Sequence, residues 1–176
     1  MMWIIATEGA LFAYLLFSYY YIAIQPHSAG TFPPEIPSID LSLPNTLILI
    51  TSSVFVAIAQ HGIMRGHTGR LVVGMGIGLA LGITFLIVQY YEWKGQSFTL
   101  ADSPYSSLFY VVTGFHMAHV FVGVLGLLAI FVWSSMGYFS RTRYAHVHIV
   151  AVYWHFVDVV WLAIFFTFYL TPRIMS

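Results

Sequence analysis

The chain contains no cysteine. Disulfides, thiolate metal sites and cysteine nucleophiles are all excluded. Charge is almost as scarce: Asp, Glu, Lys and Arg make up 7% of the 176 residues, against about 25% in a soluble domain. A surface so poor in charge is not dressed for water. The formal net charge of zero offers nothing to nucleic acid or to an acidic substrate. There is no glycine-rich phosphate loop, no zinc-protease helix and no nucleophile paired with an adjacent base. No basic residue precedes Glu8, so a cleaved signal peptide is not expected.

What is abundant is apolar surface, at 60% of residues. A helix needs about 20 mainly apolar residues to cross the hydrocarbon of a bilayer. Five runs qualify, at 3–24, 46–64, 71–93, 108–133 and 147–170. Period-two alternation is absent, and open strands cannot hide their backbone groups in lipid. The expected fold is therefore all-α: one transmembrane domain over 1–176, a polytopic bundle of five helices. Residues 25–43 contain Pro26, Pro33, Pro34 and Pro37, and Pro44 follows. That stretch reads as an extramembrane loop, with Asn45 or Thr46 capping the second helix. Gly74, Gly78 and Gly82 recur every four residues on the third run, a groove for close helix packing.

Basic residues set the orientation. Arg65, Arg70, Arg141 and Arg143 lie in the links after the second and fourth helices. Lys94 and Arg173 lie on the other side, with Glu35, Asp40 and Asp102. The positive-inside bias puts the arginine links and the N-terminus in the cytoplasm, and the C-terminus outside. Tyr19, Tyr20, Tyr21, Tyr90, Tyr91 and Trp93 then form an outer aromatic belt, with Trp133 and Tyr138 at the inner interface.

The polar residues within these runs carry the functional question. They are Glu8, His61, Gln89, Glu92, His116, His119, His155 and Asp158. An acid at the bilayer centre costs about 2.5–3.5 kcal/mol on insertion scales, so Asp158 must have a partner or a task. His155 lies three residues before it, and His116 and His119 are likewise one turn apart on one face. The expectation is that His155 and Asp158 pair with polar groups around His116 and His119. Glu8 lies near a helix N-terminus, where the dipole favours an acid. His61 and Glu92 lie near helix ends, where side chains reach for headgroups. A metal reading takes His116, His119 and His155 as ligands of haem or a di-metal centre. Against it, a di-iron site needs several converging carboxylates, and one deep acid is present. A transporter reading wants inverted repeats or broken helix pairs, which are absent.

Two segments resemble a known family closely. The run Thr113-Gly114-Phe115-His116-Met117-Ala118-His119-Val120 is similar to a Gly-x-His-x-x-His helix of subunit III of the haem–copper oxidases, the cytochrome c and quinol oxidases. The run Tyr153-Trp154-His155-Phe156-Val157-Asp158-Val159-Val160-Trp161 resembles that family's final helix nearly letter for letter. Weaker likenesses lie at Thr7-Glu8, Leu43-Pro44-Asn45-Thr46 with Ser52-Ser53, Gln60-His61-Gly62 and Gln89-Tyr90-Tyr91-Glu92. Arg65 departs from the pattern, standing where relatives often carry an acid.

The resemblance implies a non-redox core subunit in a proton-pumping terminal oxidase of aerobic respiration. Its partners would be the catalytic subunit I, other oxidase subunits and a larger respiratory supercomplex. The chain itself would carry no haem, no copper and no catalytic centre; those cofactors belong to partner subunits, and structural phospholipid is its own expected ligand. It would stabilise subunit I and support proton uptake, with Glu8, His61, His67 and Arg65 as proton or headgroup contacts. Five helices match the short bacterial form, in the inner membrane; the mitochondrial form has two more. Whether cytochrome c or quinol is the donor is not encoded. The alternative is a standalone membrane haem protein that transfers electrons.

Overall fold

The computed structural model describes residues 2–24, 37 and 39–175. Five of its helices are long and apolar enough to cross a membrane. They are α1 (Met2–Ala23), α2 (Ile39–Met64), α3 (Thr68–Gly95), α4 (Pro104–Ser135) and α5 (Ala145–Phe165). The last is prolonged by a wider π turn, Phe166–Leu170, and by the short α6, Thr171–Met175. The fold is all-α, as composition and periodicity predict.

One boundary differs from the sequence reading. Of the expected loop, residues 25–36 and 38 lie outside the described residues, but 39–43 are already helical. Pro44 sits inside α2, and Asn45 and Thr46 are in the helix interior instead of capping it. A proline in the first two turns deletes only one ladder bond. The Thr46 hydroxyl meanwhile bonds back to the Ser42 carbonyl at 2.7 Å.

The turns on the arginine side are built alike. Gly66 has φ 84° and Gly137 has φ 73°. At each, the glycine N–H bonds three residues back and the next N–H five residues back: Gly66 to Ile63 and His67 to Gly62, then Gly137 to Ser134 and Tyr138 to Trp133. This closes the ends of α2 and α4 with a left-handed residue that only glycine adopts cheaply. At the opposite side, Ser103 and Ser106 cap α4 reciprocally, with Pro104 in the first turn.

Helices α2 to α5 form a closed ring: α2 packs on α3 and α5, and α4 packs on α3 and α5. Helix α1 lies outside, against α4 and α5. The ring is filled from α5 and its π turn, where Val147, Trp154, Trp161 and Phe168, spaced by seven, are each fully buried. The Trp154 ring lies between Gly82 of α3 and Gly123 of α4. A Cβ at either glycine would come within 2.7 Å of it. Its Nε1–H donates to Ser52 Oγ of α2 at 3.0 Å, so one side chain of α5 meets the other three helices of the ring. Trp161 repeats the pattern two turns on. It donates to Thr46 Oγ1 at 2.9 Å, meets Phe85 edge-on and stacks on His116, each ring at 4.9 Å. The two indole bonds fix the antiparallel register of α2 and α5. Gly74 and Gly78 bring α3 against α2, where a Cβ would reach 2.8 Å from Ala59 and Val56 respectively. Lipid supplies no hydrophobic drive between helices, so close packing and hydrogen bonds hold this ring together.

Candidate functional site: polar clusters within the helices

The eight polar residues do not form one network. Glu8, His119, His155, Asp158, Gln89 and Glu92 fall into three separate clusters that tie helices together, while His116 and His61 stand outside them.

The first links α1 to α4. His119 Nε2 lies 3.1 Å from Glu8 Oε2, and its Nδ1 lies 2.7 Å from the Phe115 carbonyl. A carbonyl only accepts, so Nδ1 carries a proton. Nε2 then either donates as imidazolium to the Glu8 carboxylate or accepts from the protonated acid. The pair is electrically neutral in both forms, which suits lipid. Both partners are partly exposed, Glu8 at 33% and His119 at 17%. With Tyr153, whose hydroxyl donates to the His119 carbonyl, they line a cavity of about 450 Å³ between α1, α4 and α5.

The second links α2 to α5. His155 Nδ1 lies 2.8 Å from Ser53 Oγ. Asp158 lies beside the same serine, and its buried Oδ1 has no hydrogen-bond partner. Ser53 thus bonds the imidazole and adjoins the acid. This corrects the expected partnership: His155 and Asp158 meet Ser53, not His116 and His119. Spacing gives the face a residue occupies but not which neighbour that face meets.

His116 is fully buried, and neither ring nitrogen has a partner. It is held by rings instead, stacked on Trp161 and edge-on to Phe12 and Phe85 at 6.4 and 6.0 Å. Among the described residues, no three of His, Cys, Asp or Glu come together.

The third cluster closes the other end of α3. Asn45 Nδ2 donates to Gln89 Oε1 and to the Phe85 carbonyl, both at 3.3 Å. Gln89 adjoins Glu92, whose Oε1 accepts from the Tyr169 hydroxyl at 2.5 Å. Glu92 is 2% exposed, so it does not reach for headgroups as its position near a helix end implies. Arg173 carries the chain of contacts outward, donating to the carbonyls of Tyr169 and Pro37.

His61 stands apart, exposed at the end of α2, with Nδ1 donating to the Ala57 carbonyl at 2.8 Å. It lines a groove with Arg65 and Arg70. His67 is the exposed residue preceding α3, and its side chain makes no capping bond. Neither shares a cluster with Glu8. Sequence reasoning gave Ser53, Tyr169 and Tyr153 no polar role. A serine in a membrane helix usually bonds a carbonyl of its own preceding turn, and a tyrosine reads as an interface anchor, so nothing marks the ones that reach a neighbouring helix. The tryptophan acceptors were more accessible: two indoles seven residues apart on one buried face need two N–H acceptors on one neighbouring helix.

In comparisons with known proteins, a family model described as "Cytochrome c oxidase subunit III" matches residues 1–172. Among curated relatives, cytochrome c oxidase subunit 3 of Spodoptera frugiperda is 42% identical over 145 residues, covering 82% of this chain and 95% of that protein. The Anopheles gambiae subunit 3 is 35% identical over 171 residues, covering 94% of this chain and 65% of the relative. That of Dasypus novemcinctus is 33% identical over the same length, covering 94% and 66%. The chain thus spans about two thirds of the length of the latter two. With five membrane helices and a family match over nearly its whole length, the chain belongs to the cytochrome c oxidase subunit III family.

Proposed function

We propose that this chain is the non-redox core subunit of a proton-pumping haem–copper terminal oxidase, seated beside the catalytic subunit I. The observation that carries the reading is the family match over 1–172 together with relatives named as that subunit. Haem and copper are assigned to partner subunits, and no step of dioxygen reduction is assigned to this chain. Its own work is mechanical and protonic. The cross-helix bonds of Ser53, Trp154, Trp161 and Tyr169 keep the bundle in one register, so that it presents a fixed face to subunit I and holds phospholipid. We read the positive-inside bias of Arg65, Arg70, Arg141 and Arg143 as setting the N-terminus in the cytoplasm and the C-terminus outside, and the five-helix form as that of a bacterial inner membrane.

On that cytoplasmic side, Glu8, His61 and His67 hold protons near the uptake entrance. The neutral Glu8–His119 pair beside an open cavity and the exposed His61 support this role. Substituting all three with Gln is expected to lower pump yield and hasten inactivation during turnover; unchanged values for both would refute the proton role.

The identity is tested by affinity capture of the tagged chain from native membranes in mild detergent. The account expects a haem–copper catalytic subunit to co-purify in equal amount. Capture of the chain alone, with a Soret band of its own, would establish the standalone haem-protein alternative instead.

A further inference from the structure

The α2–α3 turn carries two adjoining grooves that none of the clusters above uses. One, of about 380 Å³, runs from Val54 along Ile58 to His61, Arg65 and Arg70. The other, of about 310 Å³, lies between Phe55 and Val73 and also ends at Arg70. Ile58 and Arg70 belong to both, so the grooves straddle a common ridge. Val54, Ile58 and Val73 are exposed large apolar side chains, at 52%, 48% and 62%. The cationic ends lie at the turn, where headgroups sit. Among the described residues, no carboxylate pairs with Arg65 or Arg70, and the links on this side contain no acid. Arg70 is held close: a Cβ on Gly62 would lie 2.8 Å from its Cβ, so the glycine lets its stem lie against α2.

We propose that this double groove binds one two-chain anionic phospholipid, its phosphate between Arg65 and Arg70 and one acyl chain on each side of Ile58. The inference rests on the membrane and lipid-holding reading above and names a site for it. Charge complementarity selects the occupant, because two unpaired guanidinium groups present a fork that a phosphodiester satisfies. The paired apolar grooves select a diacyl lipid over free phosphate. His61 adds a third contact: with Nδ1–H committed to Ala57, its Nε2 accepts from a hydroxyl of the glycerol headgroup.

The test uses the purified complex, delipidated and titrated with palmitoyl-oleoyl phosphatidylglycerol, phosphatidylcholine or inorganic phosphate, with bound lipid counted by native mass spectrometry. The expectation is one saturable phosphatidylglycerol not displaced by millimolar phosphate. Arg65→Gln with Arg70→Gln should weaken it about 25-fold, the loss for two interfacial cations, and the paired Lys substitutions should restore most of it. Ile58→Trp fills the ridge between the grooves and should evict the lipid with both arginines in place. Three results overturn the proposal: wild-type affinity in the double Gln variant, wild-type affinity in Ile58→Trp, or displacement of the lipid by phosphate. A complex that binds no phospholipid at all would instead overturn the lipid-holding reading on which the proposal rests.

Discussion

Ser53→Ala removes the oxygen that bonds His155. The hydroxyl lies 2.8 Å from His155 Nδ1 and adjoins Asp158, whose buried Oδ1 is already without a partner. A single membrane hydrogen bond contributes about 0.6 kcal/mol on average and about 1.7 at most. Leaving a buried polar group unsatisfied costs about 1–3 kcal/mol. Here the substitution leaves a half-buried imidazole nitrogen unmet, so the larger range applies, about 5- to 150-fold in the folding equilibrium. The assay is reversible unfolding of the chain in mixed micelles of rising dodecyl sulfate fraction, followed by tryptophan fluorescence. The contact also demands coupling. In the His155→Ala background the serine has lost its partner, so Ser53→Ala should cost at least about 0.5 kcal/mol less than in the wild type. Equal costs in both backgrounds would refute the contact, whatever their size.

Other expectations follow from the same geometry. Gly82→Ala places a Cβ 2.7 Å from the Trp154 ring and should cost about 1–3 kcal/mol by overpacking; recovery in Gly82→Ala with Trp154→Phe, read by the same unfolding assay, identifies the indole as the cause. Tyr169→Phe removes the donor to Glu92 and should cost about 1–3 kcal/mol, while Glu92→Gln with Tyr169→Phe should cost less than the sum. Asp102, exposed in the turn between α3 and α4, accepts from the Thr99 N–H, which holds its carboxyl below the usual range. A carboxylate with a lowered folded-state value contributes stability above its unfolded value, lost as pH falls through the folded one. Hydrogen exchange at residues 97–103 should therefore speed up only below the ordinary carboxylate range, and Asp102→Ala should abolish that pH dependence.

How much of this was legible in the sequence depends on the length scale of each signal. The five spans were, because a run of twenty apolar residues has few other uses. The start of α2 was not, because Pro44 reads as a breaker although an early turn tolerates it, and because Asn45 looks like a cap while its amide serves Gln89 and Phe85 across the bundle. The polar residues were found, and their partners were not. The seven-residue spacing of Trp154 and Trp161 was present in the sequence, but it takes a neighbouring Ser52 and Thr46 to turn it into a register. The π turn at Phe166–Leu170 left no readable mark, since its residues suit an ordinary helix equally well. That α1 lies outside the ring of the other four is a fact of packing partners, which hydropathy does not encode.

The most direct measurement is to strip this chain from the purified complex and follow where the haem and copper go. The account predicts that both metals and their absorption bands stay with the remaining subunits, which begin dioxygen reduction at an undiminished rate and then inactivate faster. Iron or copper leaving with the chain, in proportion to it, would contradict the account at its centre.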